Sequence, residues 1–241
     1  MSFFTKILNR EKFTRQATFA VNEAASVQIR IPNGDIDVHT HDDASVHAEL
    51  KAYGVNAEAQ LAGIEITFDE ASATLHIKHP SKSGIALHAV DITIHAPRYQ
   101  RIAIQTTGGD CCIDAPCDEI VVHSTAGDIE CKEPCRSVMK LESTAGDINV
   151  DYAAARTEIR STAGDVDVTV TQPAHVSIRT TAGDIDVNVA RGFETQIDAQ
   201  TLAGDIDNDI EISAGADGDG PPAQVILSLE ALSGDISIDR M

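Results

Sequence analysis

Asp37, His39 and His41 fall at every second position, with Asp42, Asp43 and His47 close behind them. On an extended strand that spacing places the first three side chains on one face. Imidazole nitrogen and carboxylate oxygen together suit Zn²⁺ or a similar divalent ion, though such a set is also ordinary on an exposed strand and turn. A second set is acidic. Asp128, Asp147, Asp165, Asp184 and Asp205 recur at one phase of a repeat, and Glu130, Asn149, Asp167, Asp186 and Asp207 follow two residues on. Stacked carboxylates, with Asp165 and Asp184 at the centre, could hold Ca²⁺ or Mg²⁺. The glycine-rich nonapeptide that cages calcium between turns is missing. The plainer reading is therefore a row of turn caps beside a solvated row, and no resident metal or cofactor is expected.

The chain has 5 cysteines, an odd number and too few to build a disulfide scaffold. Aligning Gly109 with Gly127, an offset of 18 residues, brings Asp114-Ala115-Pro116-Cys117 onto Lys132-Glu133-Pro134-Cys135. Cys117 and Cys135 should then be stacked thiols. Cys111 and Cys131 take inward positions in this alignment, and Cys112 points outward. Cys131 and Cys135 have a spacing that zinc accepts, but a structural zinc site wants four ligands. Gly-x-Ser-x-Gly, His-Glu-x-x-His, the phosphate loop and the dinucleotide fingerprint are all missing from the sequence. No catalytic residue is assigned, and the chain reads as a non-enzyme.

What must position these side chains is a repeat. Its corners are Gly34-Asp35, Gly109-Asp110, Gly127-Asp128, Gly146-Asp147, Gly164-Asp165, Gly183-Asp184, Gly204-Asp205 and Gly234-Asp235. From Gly109 the glycines step by 18, 19, 18, 19, 21 and 30 residues. Glycine permits the positive φ of a corner, and the Asp after it can accept backbone N–H bonds at the bend. Asp165-Val166-Asp167-Val168-Thr169-Val170 alternates apolar and polar residues, the period of a strand with one buried face. A unit of about 19 residues holds two such strands and two turns. This predicts an all-β fold, a single-stranded parallel β-helix or solenoid over residues 19–241, with Val168 stacked on Val187.

Residues 26–31, 46–50, 63–68, 73–77 and 90–95 also read as strands. The 75 residues from Gly34 to Gly109 would fit four further coils with uneven turns, a separate small β domain being the alternative. No long helical stripe is evident after Phe19. Residues 214–222 form a Gly/Pro loop insertion. Residues 1–18 stand apart, because Lys6, Arg10, Lys12 and Arg15 against Glu11 give +3 locally. Phe3, Phe4, Ile7 and Leu8 have helical spacing, so this segment reads as a short amphipathic cap over the first coil.

The whole chain has 241 residues and a formal charge of −20. That balance argues against nucleic acid and against broad binding to anionic lipid.

At its Thr-Ala-Gly-Asp-Ile-x-Val copies the chain resembles the bacterial "putative adhesin" domain-of-unknown-function family of parallel β-solenoids. The resemblance spans residues 20–241 and rests on the Gly-Asp-Ile/Val corners. It implies the fold and brings no catalytic residues. The expected role is a non-catalytic structural, scaffolding or protein-interaction domain, with a cell-surface or envelope adhesion module as the alternative. The expected partner is a protein, or a second copy at the ends of the stack. Membrane contact would be peripheral at most, through residues 1–18. Neither a signal peptide nor a membrane helix is recognisable, so the expected location is cytoplasmic, with envelope association left open.

Overall fold

The computed structural model describes residues 12–21, 24–54, 56–79, 89–210 and 224–241. The strands at the amino end are β1 (Lys12–Ala20), β2 (Ala25–Arg30), β3 (Ile36–Thr40) and β4 (Ser45–Tyr53). A helix, α1 (Ala57–Gly63), leads to β5 (Glu65–Asp69), β6 (Thr74–Lys78), β7 (Val90–Ala96), β8 (Tyr99–Gln105) and β9 (Cys111–Asp114). Next come β10 (Cys117–Ala126), β11 (Ile129–Cys131), β12 (Cys135–Ala145), β13 (Ile148–Val150), β14 (Arg156–Ala163) and β15 (Val166–Val170). The last are β16 (Ala174–Ala182), β17 (Ile185–Val189), β18 (Thr195–Ala203), β19 (Ile206–Asn208), β20 (Val225–Ser233) and β21 (Ile236–Arg240).

These strands form two sheets, mostly parallel, of 11 and 10 strands. Each repeat gives one strand to each sheet, and a Gly-Asp corner joins the two. The alternation in sequence becomes alternation in burial. Val166, Val168 and Val170 of β15 are buried, and Asp167 between them is exposed. Val168 pairs in register with Val187, and both are buried. Inward Val, Ile and Leu from the two sheets form one continuous core. Each such side chain contributes on the order of 2 kcal/mol by leaving water.

From β8 to β17 the coils stack in chain order, but at both ends they do not. The eleven-stranded sheet ends β17-β21-β19 and the ten-stranded sheet ends β16-β20-β18. The C-terminal coil of β20 and β21 is therefore inserted between its two predecessors. Hydrophobicity explains the choice. β20 and β21 bring Val225, Leu227, Leu229, Ile236 and Ile238, all buried. The displaced coil offers Thr195, Ile197 and Ala199, only partly covered, and Ile206, which is exposed. The 30-residue step from Gly204 to Gly234 supplies the chain to cross over. The expected loop at 214–222 lies outside the described residues.

The amino end has the same inversion. β2 and β3 lie between the coil of β6 and β7 and the coil of β8 and β9. Gly34 and Gly109 thus sit on adjacent coils, and the described residues between them do not form four stacked turns. They leave the stack and return. On the way they lay β4 antiparallel on β7, β1 antiparallel on β4, and β5 antiparallel on β6. Helix α1 was not expected. It is two turns long and buries Ala57, Gln60 and Leu61. Arg15 holds its C-terminal end, donating to the carbonyls of Leu61 at 2.8 Å and Ile64 at 2.6 Å. Phe19 stacks on Phe68 at 5.0 Å, bridging the sheets at this end. The division read at residues 18 and 19 falls inside β1, because Thr18 and Phe19 both pair with β4. Phe3, Phe4, Ile7 and Leu8 lie outside the described residues.

Burying a carboxylate in the core should be far more costly than adding one outside it. Val168→Asp is expected to lose on the order of 4 kcal/mol and Thr169→Asp less than about 1 kcal/mol. Paired urea melts giving equal losses would show that the inward face is misassigned.

Candidate functional site

The Gly-Asp corners form a single ladder. The backbone N–H of Asp128 donates to Asp110 Oδ1 at 2.9 Å, and that of Asp147 to Asp128 Oδ1 at 2.8 Å. Asp165 bonds Asp147, and Asp184 bonds Asp165, each at 2.9 Å. The row then follows space rather than sequence. Asp235 donates to Asp184 and Asp205 to Asp235, both at 2.8 Å. At the other end Asp110 donates to Asp35 at 3.1 Å, and Asp35 to Asp91 at 3.3 Å. Sequence reasoning placed the Asp carboxylate as a cap within its own turn. It serves the next coil instead. Asp91, preceded by Val90 rather than Gly, was missed.

Glycine is required here by close approach as well as by φ. Gly164 has φ +122°, and a Cβ on it would collide with the carbonyl oxygen of Gly146. One residue row inward, the hydroxyls of Ser124 and Ser143 donate to Ala126 O at 3.0 Å and Ala145 O at 3.1 Å. These bonds satisfy polar groups that the corner would otherwise bury unpaired.

The two outer faces differ in charge. The eleven-stranded sheet shows Asp37, Asp114, Glu130, Asp167, Asp186 and Asp239, relieved mainly by Lys51 and Lys132. Asp167 and Asp186 are register neighbours. The Asp186 carboxyl is held above its usual range, first by burial and then by Asp167, Asp184, Asp239 and Asp165. Asp207 does not continue this row as expected, because the inserted coil puts Ser237 between it and Asp186. The ten-stranded face is threaded with ion pairs. Glu142 receives His123 Nδ1 at 2.8 Å and Lys140 Nζ at 3.1 Å, and Arg179 meets Glu230 at 3.1 Å.

His39 and His41 meet partners that the sequence did not reveal. His39 on β3 is the register neighbour of His95 on β7, and His95 is the neighbour of His47 on β4. The rings of His39 and His95 stack at 5.3 Å, and His41 lies edge-on to His95 at 6.1 Å. Asp114 is 3.4 Å from His39 Nδ1, and Thr18 Oγ1 is 2.9 Å from His47 Nδ1. Burial first, then His39, His41 and His47, push the His95 imidazole below its ordinary value. Asp37 is in register with Cys112 on β9, not with another histidine. Asp165 and Asp184 each accept a ladder N–H. Among the described residues no three His, Cys, Asp or Glu side chains are placed to hold a metal ion.

Cys117 and Cys135 are register partners on β10 and β12, both buried as free thiols. The Cys117 thiol is pushed up by its hydrogen bond with Cys135 and then by burial. Cys111 is buried, which raises its thiol to about 12. Cys131 is buried and Cys112 half-exposed.

Residues 8–239 match the family described as Toastrack DUF4097. The chain belongs to that family. No curated protein matches the sequence. Solved structures similar to this Toastrack chain include a "putative adhesin" from Bacteroides fragilis, 15% identical, covering 96% of this chain and 97% of that chain at a TM-score of 0.47. A "putative cell adhesion protein" from Clostridium sporogenes is 13% identical, covering 95% and 100% respectively at 0.41. A "putative lipid binding protein" from Parabacteroides distasonis is 11% identical, covering 95% and 96% at 0.47. The expected cytoplasmic location is corrected by this set, in which adhesin names recur. No helix among the described residues is long and apolar enough to cross a membrane, and that fact assigns no compartment.

Two outcomes follow for the Toastrack corner and the histidine row. Asp165→Ala should cost about 1 kcal/mol, the worth of one charge-assisted bond at an exposed site, while Asp165→Asn keeps the acceptor and most of the stability. Equal losses in thermal melts would remove the ladder bond as the cause. His95 binds its proton less tightly folded than unfolded. Its contribution is therefore present above its ordinary value of 6.5 and is lost as pH falls below that. His39, His41, His47 and Glu49 face the same ring, and Asp114 faces His39. The melting temperature of the wild type should drop as the pH falls below about 6.5, and His95→Gln should flatten part of that drop. Identical profiles would exclude His95.

Proposed function

We propose that this Toastrack domain is a non-catalytic β-solenoid that works at the cell surface as an adhesion module, binding a protein through the acidic face of its eleven-stranded sheet. The solenoid reading is supported by the repeat geometry, in which one Gly-Asp corner per coil passes the chain from one sheet to the other. The observation that carries the binding reading is the segregation of charge. One broad face holds an excess of carboxylates at strand spacing, while the other balances its charges in ion pairs.

A sheet face of this kind suits a partner with a basic surface. Fixed rows of like charge steer such a partner and are screened by salt. The aspartates of this face are already neighbours, so part of their mutual repulsion would be relieved on binding. The names of the similar solved structures run in the same direction, and the scaffolding reading has no comparable feature behind it.

Beads coated with the full chain should adhere to intact bacterial cells or to their extracellular proteins, and added salt should release them. Asp167→Lys with Asp186→Lys, both at exposed positions, should lower adherence several-fold without lowering the melting temperature. Adherence no greater than that of an unrelated protein of equal net charge would reject the reading. So would full adherence by the charge-reversed variant.

A further inference from the structure

The two ends of the stack are finished differently. At the amino end, antiparallel β1, β4 and β5 and helix α1 cover the first coils. At the carboxyl end, the coil of β18 and β19 has neighbours on one side only among the described residues. Its inward Ile206 is 45% exposed, whereas the equivalent Ile236 one coil further in is 1% exposed. The Asp ladder stops there as well. Asp205 donates its N–H to Asp235, but its own carboxylate receives none from the described residues.

A second observation lies beside this edge. The residue two before the corner glycine is Thr125, Thr144, Thr162 and Thr181 in four interior coils. In the last two coils of the stack it is Leu202 and Leu232, which are 83% and 49% exposed. They are adjacent, since Thr201 pairs with Ala231 and Ala203 with Ser233. An open strand edge and an apolar pair thus coincide at one end of the molecule. Unprotected edges of this kind template pairing with another strand.

The charge and direction of the strands select the occupant. β19 and its flanks read Asp205-Ile206-Asp207-Asn208-Asp209, three carboxylates and no cation. β1, at the opposite edge of the same sheet, carries Lys12 on its outer face and no acid, Arg15 being held by the carbonyls at the end of α1. β1 is antiparallel to β4, which is antiparallel to β7, so β1 runs in the same sense as β19. The inward side of β1 holds Phe13 and Phe19, both packed against the core, and would meet Ile206.

We propose that a second copy of this chain docks on the C-terminal coil, its β1 continuing the eleven-stranded sheet from β19, so that copies add head to tail. The two contact surfaces are different, so the assembly does not close at two. It needs no outside partner and stands or falls separately from the acidic-face reading.

Sedimentation velocity on the full chain tests this over rising concentration, at low and high salt. The mean mass should rise past that of a dimer, and high salt should reverse it. Lys12→Glu and Asp207→Lys should each weaken association by about tenfold, and combining them in one chain should recover much of it. Leu202→Glu should weaken association with an unchanged melting temperature, because that side chain is exposed in the free protein. A monomer at every concentration, a mass that stops at a dimer, or association indifferent to both charge changes would overturn the proposal.

Discussion

Backbone meets backbone at each Gly-Asp corner among the described residues. A glycine carbonyl of one coil occupies the space where the next coil's Cβ would be, and the following Asp carboxylate takes that coil's N–H. Eight such bonds link nine aspartates. The contact sets the phase of each coil. With the corners superposed, each β strand must pair in register, because a slip of one residue would turn its valines outward. The core ladders, the paired outer rows and the stacked cysteines all inherit their alignment from it.

The same constraint explains how the ends can be permuted. Any Gly-Asp corner can stack on any other, so the corner alone does not decide which coil is neighbour to which. Inward residues decide. The coil with Leu227, Leu229 and Ile238 takes the enclosed place, and the coil with Thr195 and Ala199 is left at the edge. At the amino end strand direction reverses, with Phe19 on Phe68 and Arg15 on the end of α1, and β1 is left as the edge of the eleven-stranded sheet.

Much of this was legible in the sequence, and the limits have physical causes. The period, the two-residue alternation and the corners report local geometry, and local geometry is what a repeat repeats. Val168 on Val187 and Cys117 beside Cys135 follow from counting. Coil order at the ends does not, since Gly204 and Gly234 offer the same chemistry to Gly183. Helix α1 is too short to show a helical stripe. The histidine row was half visible. His39 lies on β3 and His41 just past its end, but His95 and His47 reach them only through a parallel pairing and an antiparallel one, each between residues about fifty apart in the chain. The ladder bond was assigned to the wrong coil because an Asp after Gly has a local partner in most turns.

Placement of the last coil also determines how the molecule carries load. β20 is hydrogen-bonded to β16 on one side and β18 on the other, and β21 likewise to β17 and β19. A pull applied through β21 cannot peel an edge strand one bond at a time. It must drag an interior strand lengthwise between two neighbours, breaking both ladders together. During synthesis the converse holds. The gap between β17 and β19 cannot be filled until β20 and β21 have left the ribosome, so this part of the stack is completed only after the coils on both sides of it have been made.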